Sequence, residues 1–366
     1  MVNLKKITES NKYDIYPDLL RMGHVFVTSF GQRHINEGLY GLIDMTIGGD
    51  GWYYALCKRD NSRNILERVS FTKVNLEDQY EPNIYLSFDG EYDNYDEEQF
   101  PSPACCESDR NGTLFLTDEH RNKVVLIKTD GAVQSSWGKS GDGPGELNAP
   151  SGIVYLPDDT LWVVSTRSSR VQQFTRNGKY IRGFGEFGTK PGQLNYPWGV
   201  AIDPVDGSVL VADWRNDRVQ RFTPDGDLLH IFDSLVPSKP SLNRPSSVAV
   251  DTHGDVYVCD RGNDRVVQFN PRGLFIESLT GDAPMTERGA DRLMSNPDML
   301  RWRDYIPDLE REKRFWRPVS VKIDDEFRVF VSDAARFRVQ VYKKTFRTLE
   351  THQIDPVETY TDPKVN

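Results

Sequence analysis

LNAPSGI (147–153) with LWVVSTRSSRVQQF (161–174), LNYPWGV (194–200) with VLVADWRNDRVQRF (209–222), and LNRPSSVAV (242–250) with DVYVCDRGNDRVVQF (255–269) are three copies of one sentence. In each, a proline precedes an apolar stretch, a second β-rich run follows, and a polar turn leads into Arg-Val-x-x-Phe. The turn positions Ser165, Asp213 and Asp260 lie 48 and 47 residues apart. Self-similarity at such a period marks a repeat architecture, in which each unit buries its apolar face against the next.

Working outward, the pattern recurs in SPACCESDRNGTLFLTDEHRNKVVLI (102–127), with Asp118 at the turn, and in RPVSVKIDDEFRVFVSDAARFRVQVY (317–342), with Asp333 there. The stretch from Gly41 holds a degenerate first copy, with Lys58 at the turn and with Arg59 and Arg63 matching Arg261 and Arg265. Alternating Val, Ile, Phe, Tyr and Trp bounded by Asn-Gly and Asp-Gly turns predicts four short antiparallel strands per repeat. Six repeats predict an all-β, six-bladed β-propeller. HVFVTSFG (24–31) is similar to the last strand of a repeat, YIRGFG (180–185), yet no repeat precedes it. It is expected to complete the final blade and close the ring, which removes the edge an open array would leave.

The expected boundaries are a leader over 1–23, with a short helix near 16–21, a propeller over 24–350, and a polar tail over 351–366. Two intervals exceed the period: 60 residues from Lys58 to Asp118 and 73 from Asp260 to Asp333. The first carries an acidic run, DGEYDNYDEEQF (89–100). The second, 281–314, predicts a helical lid inserted before the last blade, broken at Pro297 and Pro307.

The 366 residues carry a net charge of −10, with pI ≈ 5.2 and mean hydropathy −0.58. That balance speaks against wholesale nucleic-acid binding. No apolar run approaches the ~20 residues that span a bilayer, so no membrane association is expected. MVNLKKITES (1–10) lacks the apolar core of a secretory signal, which predicts a cytoplasmic protein. Cys57, Cys105, Cys106 and Cys259 form no zinc-spaced cluster and are expected as free buried thiols.

In a four-stranded blade, the turn between the second and third strands and the connection into the next blade emerge on one face. The repeated aspartates and arginines there recur in most blades and are read as structural. The non-repeated residues carry the functional expectation: Arg59, Arg167, Arg215 and Arg261 for capture of an anion, with Trp198 and Trp214 as apolar walls. Glu119, His120 and Asp44 are the acid–base candidates. With Glu119 and Asp44, His120 is the candidate for a divalent metal, although the sequence shows no set of three converging ligands.

The pattern V-x-D-x-x-N-x-R-V-x-x-F, clearest in the three central copies, resembles the NHL repeat and implies the same six-bladed fold. The chain is distantly similar to the peptidyl-α-hydroxyglycine α-amidating lyases, which are NHL-type propellers. In that family zinc-binding histidines follow the proline of the inner strands. Here those places hold Ala104, Ser151, Trp198, Ser246 and Val319, whereas the family's substrate-binding arginine has a counterpart in Asp260-Arg261. The expectation is a small-molecule enzyme, a lyase or hydrolase, or a ligand-binding propeller taking an anionic molecule at an arginine-rich mouth. The alternatives are a protein-interaction scaffold using the loop face and, behind it, RNA binding.

Overall fold

The computed structural model of the protein describes residues 15–31, 39–59, 68–86, 102–233, 241–284, 294–305 and 307–349. Six four-stranded antiparallel sheets form the blades of a β-propeller. Blade 1 is β2 (Leu42–Ile47) to β5 (Ile84–Leu86), and blade 2 is β6 (Pro103–Ser108) to β9 (Val133–Trp137). Blade 3 is β10 (Pro150–Leu156) to β13 (Tyr180–Phe184), blade 4 is β14 (Pro197–Ile202) to β17 (Leu228–Phe232), and blade 5 is β18 (Pro245–Val250) to β21 (Phe275–Leu279). Blade 6 joins β22 (Pro318–Ile323), β23 (Arg328–Asp333) and β24 (Arg338–Thr348) to β1 (Leu19–Phe30), in the order β1-β24-β23-β22. The first strands neighbour one another in a closed circuit, β2, β6, β10, β14, β18, β22 and back to β2, and so surround the axis.

The apolar alternation builds a core at every junction between blades rather than one central core. Tyr54, Leu56 and Phe71 of blade 1 pack on Cys106, Leu114 and Leu116 of blade 2. Four further clusters repeat this between successive blades. Phe30, Phe330, Val339 and Val341 of blade 6 meet Met45, Tyr53 and Ala55 of blade 1 in the junction that closes the ring. Each such side chain taken out of water contributes roughly 1.5–3 kcal/mol. The cysteines are free, with Cys57, Cys106 and Cys259 buried in these clusters.

Ring closure by the N-terminal strand is as expected: β1 pairs with β24 from Leu19↔Thr348 to Phe30↔Val339. The strand starts earlier than His24, and its first residues, Leu19–Arg21, are strand where a short helix was expected. Ladder hydrogen bonds to the long β24 outweigh the local helical pattern. Ahead of it, the Tyr16 hydroxyl donates to Asp203 (2.8 Å) and Asp206 (3.0 Å) of blade 4. Arg21 bonds Asp255 of blade 5 at 2.9 and 3.1 Å through Nε, and His24 pairs with Glu277. The N-terminal segment is thus a strap across blades 4, 5 and 6.

Three other expectations are corrected or fall elsewhere. In blade 1 the third strand, β4 (Arg68–Val74), begins after the position expected from Arg63, and its register sets Arg59 opposite Arg68. Residues 60–67, which join the two strands, lie outside the described part. Among the described residues of the 281–314 insertion none lines the central cavity, so no helical lid over the mouth is seen there. The described part holds one eight-residue helix, α1 (Pro297–Asp304), and a single 3-10 turn, Leu309–Glu312. Met294 is helical, and the helical path is interrupted ahead of Pro297. That residue opens α1 as a first-turn proline can, and α1 ends before Pro307, in keeping with the expected breaks. The acidic run 89–100 and the tail 351–366 lie outside the described residues. No described helix is long and apolar enough to cross a membrane.

Candidate functional site

The repeated turn aspartates are structural. Asp213 accepts from the Asn195 amide (2.7 Å), from Asn216 Nδ2 (2.8 Å) and from Arg218 Nε (2.9 Å). Asp260 and Asp333 repeat the pattern with Asn243 and Arg265, and with Trp316 and Arg338. Burial raises all three carboxyls above their ordinary value, and their amide and arginine partners offset part of that rise. Four residues after the turn aspartates, Asn122, Asp217 and Asp264 each accept from the amide that precedes the next blade's proline: Ala149, Arg244 and Arg317, at 2.7–2.8 Å. These amides belong to residues in the left-handed region, with φ of 51°, 51° and 56°. The turns therefore clamp successive blades, and the clamp sets Arg244 and Arg317 on the loop face.

Inside the ring of first strands is a cavity of about 290 Å³. Its outer wall includes Leu42, Trp198, Val319 and Arg261, and deeper positions supply Asp44, Cys105, Ser320 and Lys322. Arg261 opens the 3-10 turn after β19 (Val256–Asp260) and lines this cavity. Burial lowers its pKa, and the guanidinium groups of Arg317 and Arg244 lower it further. Among the described residues no carboxylate pairs with Arg261, Arg244 or Arg317. Trp214 packs against Trp198 at 6.1 Å, and Arg244 and Arg215 stand over its ring at 5.6 and 5.7 Å. Arg215 also stacks on Tyr196 at 4.0 Å. The Trp214 indole N–H is buried and without a hydrogen-bond partner.

Six inner strands contain three charged residues, Asp44, Glu107 and Lys322, and the fold brings all three together. Lys322 Nζ lies 3.0 Å from Glu107 Oε2. Burial pulls Lys322 down, but Glu107 and Asp44 outweigh it and hold the ammonium above its ordinary value. Asp44 is 4% exposed. Its oxygens accept from the Met45 and Cys106 amides at 2.8 and 2.9 Å. Burial raises its carboxyl, and Lys322, Ser320 and the two amides only partly offset this. Burial and the nearby Asp44 charge likewise push the Cys105 thiol well up, so it rests as a neutral thiol.

Of the residues read from the sequence, Asp44, Trp198 and Arg261 line the cavity, with Trp214 and Arg215 packed at its rim. Glu119 and His120 are exposed on the blade 2 turn and do not line it. Glu119 accepts from the Ser102 hydroxyl (2.8 Å), and Asp118 holds the His120 amide. Arg167 is exposed on the blade 3 turn, also off the lining. Arg59 ends β3 (Tyr53–Arg59), and its side chain lies outside the described part. Sequence reasoning missed Lys322, Cys105, Arg244 and Arg317. A signal existed for two groups: a charge inside an inner strand, and arginine immediately before the repeat proline. Among the described residues no three His, Cys, Asp or Glu side chains come together as a metal site needs.

The NHL repeat profile matches residues 194–222 and 242–269, within blades 4 and 5. No curated protein sequence matches the chain. Among solved structures, the chain is similar to a streptogramin B lyase, at 13% identity and a TM-score of 0.51, over 88% of this chain and 99% of that one. It is similar also to selenomethionine-substituted virginiamycin B lyase from Staphylococcus aureus, at 13% identity and TM-score 0.51, over 90% of this chain and all (100%) of that one. At such identity the likeness is one of fold.

Proposed function

We propose that the protein binds a small anionic ligand at the arginine-bearing mouth of its central cavity. The observation that carries this reading is Arg261, a guanidinium at the cavity wall whose charge is opposed by burial and by two neighbouring arginines. A carboxylate or phosphate seated there relieves all three at once and meets arginine's bidentate geometry. The adjoining Trp214 indole adds an unused donor. Of the three acid–base candidates, Asp44 alone lines the cavity, so a lyase or hydrolase step would use that carboxyl.

The test is isothermal titration of the wild type and Arg261→Gln with a panel of small carboxylates and phosphomonoesters. At least one should bind, and Arg261→Gln should weaken it about 10- to 100-fold, the scale of a charge-assisted contact. Equal binding by the variant, or a wild type that binds none of the panel, overturns the reading.

A second reading has its own observation. Tyr40 (47% exposed), Phe337 (38%) and Trp316 (53%) come from connections on the same face, with Tyr40 and Phe337 rings 4.7 Å apart. Exposed aromatics of this kind are common anchors for a protein partner. Tyr40→Ala with Trp316→Ala should abolish such docking and leave the titrations unchanged.

A further inference from the structure

The cavity carries opposite electrostatic needs at its two levels. Arg261 is supplied by a turn at the rim, with Arg244 and Arg317 beside it, and no carboxylate among the described residues answers them. Asp44 is the third residue of β2, whose first residue, Leu42, also lines the wall. A bulge lies between the two, since Leu42 faces Cys57 and Asp44 faces Leu56, so Asp44 sits about one ladder step further along the strand, roughly 3–4 Å deeper. There it shares one ammonium, Lys322, with Glu107, so this level holds two carboxylates against one cation.

The two amides that bond Asp44 occupy one acceptor site on each oxygen, and an ionised carboxylate offers about four. Capacity for a further donor therefore remains at the inner level. The rest of the lining is mixed: Leu42, Ile153, Val200, Val248 and Val319 are apolar, and Ser246, Ser247 and Ser320 carry hydroxyls. Lys322 also lines a separate cavity of about 510 Å³ on the opposite side, with Glu107, Asp109 and Asp325. Lys322 is the one residue common to both linings, and the arginine-bearing rim belongs to the cavity that holds Asp44.

We propose that the ligand is dipolar: an anionic group held at Arg261, Arg244 and Arg317, a short connecting span, and an ammonium or comparable donor directed at Asp44. This rests on the anion-binding reading above and narrows it. Such a molecule supplies the missing counter-charge at both levels, whereas a simple anion leaves Asp44 buried against half a partner.

The experiment uses matched ligand pairs on the full chain by isothermal titration. Hexanoate is compared with ε-aminohexanoate and with its N-acetyl derivative, and propylphosphonate with aminopropylphosphonate. In the wild type the amine-bearing members should bind about tenfold or more tightly than their parents, and N-acetylation should remove that gain. Asp44→Asn should level each pair while parent binding persists, and Arg261→Gln should weaken parent and amine alike. Parents that bind as tightly as their amines overturn the dipolar proposal and leave the anion site standing. A preference that survives Asp44→Asn overturns the assignment to Asp44. Absence of binding by every member overturns the anion reading and this proposal together. If Asp44→Asn does not fold, the N-acetyl comparison in the wild type decides.

Discussion

At the scale of single residues, buried charge is tolerated where it is fully bonded and held in reserve where it is not. Asp260 is 0% exposed and spends its oxygens on the Asn243 amide, Asn263 and Arg265. Asp260→Asn removes the buried carboxylate charge that Arg265 Nε and the Asn243 amide bond, and should cost about 3–5 kcal/mol in denaturant unfolding. Asp44 behaves differently with pH. Its folded-state pKa is raised above the ordinary 3.8, so the stability it lends is fully present below that value and is lost as pH rises through the folded pKa. The cost of Asp44→Asn should accordingly shrink between about pH 4 and pH 7, measured by urea unfolding at both. A cost that grows with pH would contradict this. Gly226 has φ of +97°, and a β-carbon there would sit 2.5 Å from that of Phe184 in the neighbouring blade. Gly51, at φ +82°, faces open space. Gly226→Ala should therefore destabilise by about 1–3 kcal/mol more than Gly51→Ala, since overpacking adds to backbone strain.

At the scale of elements, the N-terminal strap does two jobs. β1 completes blade 6, and its side chains tie that blade to blades 4 and 5. The attachment to blade 5 is a buried network in which Asp255 meets both Arg21 and Lys344, the latter at 2.8 Å, and Asp251 also meets Lys344. Asp255→Asn strips one carboxylate from two cations and should cost about 3–5 kcal/mol. Deleting residues 1–30 should do more, exposing the edge of β24 and separating the ring's two ends. Thermal unfolding should lose its single cooperative transition and size-exclusion should show aggregates. An unchanged melting curve would show that closure rests elsewhere.

For the whole molecule, stability and function share the same geometry. The six junctions form a circuit, so no blade is terminal and the inner strands are fixed around the axis. That rigidity holds Asp44, Lys322 and Arg261 in place, and the described part of the insertion contributes nothing to the cavity lining. A ligand that binds only the closed ring should add to its stability by mass action, about 2.7 kcal/mol at a concentration a hundred times Kd. A ligand found by titration that leaves the melting temperature unchanged would be bound outside the ring.

The repeat alone determined the architecture. Its period, its Asn-Gly and Asp-Gly turns and the orphan strand at the N-terminus state six blades and their closure, because each is a local pattern repeated often enough to exclude alternatives. It also marked Arg261, Trp198 and Asp44, since departures from a repeat stand out. It could not separate these from Glu119, His120 and Arg167, which share the same face and the same chemistry. That separation belongs to tertiary structure: whether a turn side chain enters the cavity depends on blade tilt and clamp geometry, and neither is written in local sequence. The meeting of Lys322 with Glu107 and Asp44 is of the same kind. Residues more than 200 positions apart acquire their charge environment from ring closure, which sets the distance and the dielectric that decide their chemistry.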